Sequence, residues 1–194
     1  MAHRARSPQE RREAAEARRA RRAAVTEPDA VMEAAAAFLA VRSRSVQETR
    51  QRLVHLGYPP PIVEQVLERL VEIGYLDDLA FARAWVESRD RARPRGAMAL
   101  RRELGRKGVP DEVIAEVLAD RAELVAAEVD PEEGAGDPDR AAAQRLIARR
   151  ASTLGRETDP HRRRQKAYAL LARNGFAPDV CQEVAASVAQ ADSD

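Results

Sequence analysis

Aromatic residues make up only 4% of this 194-residue chain, so any core it buries must be assembled mainly from Leu, Val, Ile and Ala. That scarcity favours helices, because a sheet normally draws on β-branched and aromatic side chains. A single cysteine, Cys181, excludes an intramolecular disulfide and suits a reducing compartment. No apolar run approaches the roughly 18 to 20 residues of a membrane span, and the Arg-rich start lacks the apolar stretch of a signal peptide. The expectation is a soluble, monomeric, cytoplasmic protein with no membrane contact. His3, His55 and His161 are scattered and Cys181 has no neighbour at ligand spacing, so no metal site is readable. The chain has no Gly-x-x-x-x-Gly-Lys-Ser/Thr loop, no Gly-x-Gly-x-x-Gly and no nucleophile elbow. Neither enzyme chemistry nor a cofactor is expected, and function should lie in binding.

What is abundant is charge, 34% of the residues, and it is distributed in blocks that the net value of +1 hides. Residues 1–25 carry +5, 26–82 carry −4, 83–107 carry +6, 108–139 carry −10, 140–175 carry +8 and 176–194 carry −4. Basic surfaces separated by acidic ones suit a polyanionic partner better than a neutral small molecule. Residues 1–28 read as a disordered basic arm, Arg-rich and without an apolar stripe. Residues 125–138, with Asp130-Pro131-Glu132-Glu133-Gly134, read as an acidic linker.

Between these segments the chain repeats. Leu53-x-x-x-Gly57-Tyr58, Leu104-x-x-x-Gly108-Val109 and Leu171-x-x-x-Gly175-Phe176 align, followed at fixed offsets by Ile62 and Val66, Val113 and Val117, and Val180 and Val184. Each predicts a helix ended by glycine, an apolar residue packing back on its last turn, and a second helix with an i, i+4 stripe. Pro59, Pro110 and Pro178 support the new start. A further helix precedes each pair, over Val31–Arg42, Asp78–Arg91 and Asp139–Ser152. The fold class is all-α: three tandem three-helix repeats, over 29–76, 77–124 and 139–190, forming an elongated, curved domain.

Basic residues recur in register with this repeat. Arg44, Arg95 and Arg162 stand thirteen residues before the three glycines, and Arg106 and Arg173 two before the last two. With Ala97, Leu100 and Leu104 facing inward, helical spacing places Arg95, Arg102 and Arg106 on one outer face, and Arg162, Lys166 and Arg173 on another. Like charges at i, i+4 cost an isolated helix about 0.2–0.5 kcal/mol per pair. Arginines at a helix start add about 0.3–1 kcal/mol against the macrodipole. Phosphates approaching the face would offset both terms.

Asp77 and Asp78 could pair as a metal or acid–base site, but at a helix start they read as caps. Trp85, one turn after Phe81, could stack on a base, but beside Ala82 and Val86 it reads as core. Three readings stay open from these residues alone: a polyanion-binding regulator, a stand-alone helical DNA-binding protein, and a helical scaffold for acidic proteins.

Gly74-Tyr75-Leu76-Asp77-Asp78, Phe81-Ala82, Trp85-Val86, Arg89, Pro94-Arg95-Gly96, Leu100, Glu103-Leu104 and Lys107-Gly108-Val109 together resemble the signature of the RecX regulatory proteins of bacteria, over about Ala34 to Ala189. The resemblance implies a regulator that binds the RecA recombinase filament on single-stranded DNA, with duplex a weaker ligand. It implies modulation, typically inhibition, of ATPase, coprotease and strand-exchange activities in recombination, DNA repair and the SOS response. Charge geometry then nominates Arg44, Arg83, Arg89, Arg93, Arg95, Arg101, Arg102, Arg106, Lys107, Arg162, Arg163, Arg164, Lys166 and Arg173 as contacts.

Overall fold

The computed structural model describes residues 7–128 and 137–190, and every regular element among them is an α-helix. The chain divides into two compact units, Met1–Asp78 and Leu79–Asp194. The first holds α1 (Pro8–Ala23), α2 (Asp29–Leu39), α3 (Val46–Leu56) and α4 (Pro60–Glu72). The second holds α5 (Asp78–Ala92, its first residue at the boundary), α6 (Ala97–Arg106), α7 (Asp111–Glu128), α8 (Pro138–Ala148), α9 (Ala151–Leu154), α10 (Pro160–Arg173) and α11 (Pro178–Gln190). Most of the acidic linker expected at 125–138 lies outside the described residues.

The aligned glycines do what their spacing predicts. Gly57, Gly108 and Gly175 have φ of 99°, 74° and 80°, a left-handed turn that ends α3, α6 and α10. The next residue closes each turn, its N–H donating back to the leucine carbonyl: Tyr58 to Leu53 at 3.3 Å, Val109 to Leu104 at 3.2 Å and Phe176 to Leu171 at 3.4 Å. Those six side chains are buried and seed three separate cores. The first joins Leu53 and Tyr58 to Val31, Val63, Leu67 and Leu70. The second joins Leu104 and Val109 to Phe81, Ala82, Ile114 and Val117. In the third, Leu171 and Phe176 pack on Ala142, Leu146, Val180 and Val184.

Three details depart from expectation. Pro8–Ala23, within the arm read as disordered, is helical: Ser7 and Glu10 form a reciprocal capping box, and its Ala, Arg and Glu residues are strong helix formers. No α1 residue is buried; among its contacts with the rest of its unit is Arg22, 5.6 Å from the Tyr58 ring centre. The helix expected over Asp139–Ser152 is broken into α8 and α9, and at the break Arg149 turns its guanidinium to the Arg91 and Ala92 carbonyls, capping the end of α5. Asp78, read as a cap at the start of α5, reaches across to α3: its carboxylate accepts from Val46 N–H at 3.0 Å, while burial holds its pKa above the usual range despite that bond.

Candidate nucleic-acid interface

α6 is short and strongly sided. Ala99, Leu100 and Leu104 face the core, leaving Arg101, Arg102 and Arg106 exposed, with no side-chain partner among the described residues. Arg93, before the helix, is likewise exposed and unpaired among the described residues. On α10 the side chains of Ala167 and Leu171 face inward and Arg164 and Arg173 face solvent. Arg162 shares the outer face with Arg173, its contact to Asp159 a loose 3.6 Å at 73% exposure.

The other nominated residues are engaged within the protein. Helical spacing places Arg95 on the face of Arg102 and Arg106, yet it precedes Gly96, the extended N-cap of α6, so the helical register does not reach it. Its guanidinium instead meets Asn174 and, at 3.5 Å, Glu103. Glu103 accepts two further bonds, from the Trp85 indole N–H at 2.9 Å and from Arg89 Nε at 2.6 Å. Burial would raise the Glu103 pKa, but the bonds from Arg89 and Trp85 and the charge of Arg95 outweigh it and hold it low. Arg89 and Lys107 each lie 4.3 Å from the Trp85 ring centre, so cations already occupy the surroundings of this half-buried tryptophan.

Arg83 bridges α5 to α7 through Asp120 at 2.7 Å and Glu116 at 3.3 Å. Lys166 is paired with Glu157. Arg163 is 8% exposed and donates to the Glu157 carbonyl at 2.9 Å. α10 begins at Pro160, so Arg162 and Arg163 are already helical, whereas Arg44 and Arg95 stand before their helices, and of the two helical arginines only Arg163 is buried. Arg44 lies over the Phe38 ring, 4.2 Å from its centre.

Two arrangements hold the basic faces of α6 and α10 in one unit. Gly96 N–H donates to the Asn174 carbonyl at 3.1 Å, and a Cβ on Gly96 would sit 2.2 Å from the Gly175 oxygen. Beside this contact Arg121 of α7 is almost fully buried. It donates to both oxygens of Asp90 at 2.8 and 2.9 Å and to Asp139 at 2.7 Å, and Asp139 also accepts from Ala97 N–H at the start of α6. Burial disfavours the Arg121 charge, but the bonds to Asp90 and Asp139 outweigh it and raise its pKa. Sequence patterning misses this hub, although Arg121 is the lone basic residue in the −10 block of 108–139.

Comparison with known families matches each trio separately. The description "RecX, first three-helix domain" fits residues 32–70, "RecX, second three-helix domain" fits 77–118 and "RecX, third three-helix domain" fits 137–185. The chain belongs to the RecX family. Among similar RecX proteins is the "Regulatory protein RecX" of Mycobacterium sp. (strain JLS), 35% identical over 150 residues, covering 76% of this chain and 75% of that one. Another, from Prosthecochloris aestuarii, is 46% identical over 81 residues, 42% of this chain and 54% of its own. The RecX crystal structure from Lactobacillus salivarius superposes with a TM-score of 0.63 at 16% identity, covering 83% of this chain and 96% of its own. That likeness extends the all-α RecX repeat fold to this chain. No described helix is long and apolar enough to cross a membrane.

Proposed function

We propose that this RecX-family chain is a regulatory protein that acts by binding, engaging the RecA recombinase filament on single-stranded DNA and modulating, most often restraining, its ATP hydrolysis and strand exchange. The observation that carries this reading is the set of exposed arginines on α6 and α10, Arg101, Arg102, Arg106 and Arg173, which have no partner among the described residues while Arg83, Arg89 and Arg95 are held by internal ones. An unpaired row is free to exchange its counterions for phosphates or for carboxylates of a protein partner. A helix surface of this kind has no chemistry of its own to offer, so the effect on the recombinase is exerted through the complex.

The test is the DNA-dependent ATPase of the recombinase with and without the protein. Reversing Arg101, Arg102 and Arg106 together to Glu is expected to weaken filament binding by at least about tenfold while helix content by circular dichroism holds. Binding that survives the triple reversal would remove α6 from the interface. Tight binding to duplex without the recombinase would sink the filament reading altogether.

A further inference from the structure

Where α2 turns into α3, the chain gathers Phe38, Val41, Arg42, Arg44 and Arg52. The Arg44 guanidinium carbon lies 4.2 Å from the centre of the Phe38 ring and that of Arg52 lies 5.8 Å from it. Arg42 is met by Glu48 at 3.1 Å. Arg44 makes no hydrogen bond or ion pair with another described residue, and its Nε is shut away from water without a partner. Burial holds its pKa below the usual arginine value, and the charges of Arg42 and Arg52 push the same way, with Glu48 opposing. Alongside, Val41 is 77% exposed.

A planar guanidinium braced on an aromatic ring, with its terminal nitrogens unpaired among the described residues and a second arginine beside it, has the geometry that grips a phosphate. Exposed apolar surface next to such a grip suits the ring of an unstacked base. The two other arginines in register are differently placed, Arg95 against Asn174 and Glu103 and Arg162 beside Asp159. Among the described residues, only the first repeat leaves this position without a carboxylate or amide partner.

We infer that the α2–α3 corner is a binding site for the backbone of single-stranded nucleic acid, with Arg44 and Arg52 taking a phosphate and Val41 meeting the adjoining base. The ligand class rests on the polyanion reading proposed above; the site does not, since it lies in a different repeat from the faces of α6 and α10.

The test uses the full chain without recombinase, titrated against a labelled oligothymidylate over a range of salt. Arg44→Gln and Arg52→Gln are each expected to lower affinity about tenfold and to reduce the slope of log K against log salt by about 0.7, the loss of one single-strand phosphate contact. Thymidine monophosphate and inorganic phosphate are expected to compete only weakly. Unchanged affinity and slope in both variants would overturn the site. So would competition by an oligo-aspartate peptide equal to that of unlabelled strand, which would assign the corner to an acidic protein, or equal competition by inorganic phosphate. Arg52 is exposed, so its variant keeps the test decisive if Arg44→Gln unfolds. The recombinase ATPase, run separately, distinguishes the two failures: a wild-type protein that leaves it unchanged but loses strand binding on Arg44→Gln keeps the site and loses the regulatory reading.

Discussion

Replacing Arg121 with alanine is expected to destabilise the unit that begins at Leu79 by about 3 kcal/mol, the cost of breaking a buried ion pair by removing one partner. The size follows from what stays behind. Asp90 and Asp139 have side chains only 23% and 12% exposed, and both are oriented by the same guanidinium. Arg145 is the other cation near Asp90, at 3.7 Å, too far to replace the bidentate pair. Asp139 would keep its bonds to Ala97 N–H but lose the cation that makes its charge tolerable there. Arg121→Lys should recover part of the loss, since an ammonium supplies the charge but not the fork that reaches Asp90 and Asp139 together. Urea unfolding followed by tryptophan fluorescence checks this cleanly, because Trp85 is the chain's single tryptophan and lies in this unit. A loss below about 1 kcal/mol, the level of an exposed pair, would show that the hub is solvated in solution. The variant should also weaken filament binding, because α7, α8 and the start of α6, which the hub joins, share the unit with both basic helices.

The parts of this fold that are legible in the sequence are those that local chemistry decides. Leu53, Gly57 and Tyr58, with their counterparts in the other repeats, form a turn whose geometry needs nothing beyond a handful of residues, so spacing alone locates three helix ends. The valine pairs after each turn follow the same logic: an i, i+4 stripe has one face to hide. The arginines are harder. A periodic cation is equally consistent with a solvated face and with an ion pair to a residue far along the chain. Arg89 finds Glu103 fourteen residues away and Arg95 finds Asn174 seventy-nine away, and no local pattern announces either. Arg95 further shows how a helical wheel fails at a helix boundary, since a residue before the N-cap does not share the helix's angular register. Arg102 and Arg106 do lie exposed as their spacing predicts, because both stand wholly within α6, away from Leu100 and Leu104.

Gly96→Ala is expected to cost about 3 kcal/mol, as much as severe overpacking, although it adds one methyl group at an ordinary backbone conformation. Gly96 has φ of −75° and ψ of 160°, which any residue adopts, so glycine is required there for space alone. Its Cβ would lie 2.2 Å from the Gly175 oxygen and 2.5 Å from Phe176 N, and those are backbone atoms, held by the turn that ends α10. They cannot swing aside as a side chain can. Gly74 supplies the contrast: its φ of 73° is left-handed but nothing lies within 4 Å of an added methyl, so Gly74→Ala should cost only about 1 kcal/mol of backbone strain. Gly175 combines both demands, with φ of 80° and a Cβ that would meet Ala99 at 2.5 Å, and Gly175→Ala should be the most damaging of the three. The ordering Gly175, Gly96, Gly74 in urea unfolding is therefore the expected result, the first two followed by Trp85 fluorescence and the third, in the other unit, by circular dichroism. If Gly96→Ala costs no more than Gly74→Ala, the α6 and α10 contact yields easily, and the two basic helices are not held in a fixed relation by it. If the ordering holds, the second and third repeats are locked backbone to backbone, which explains why they form one unit and why their exposed arginines can act as one surface.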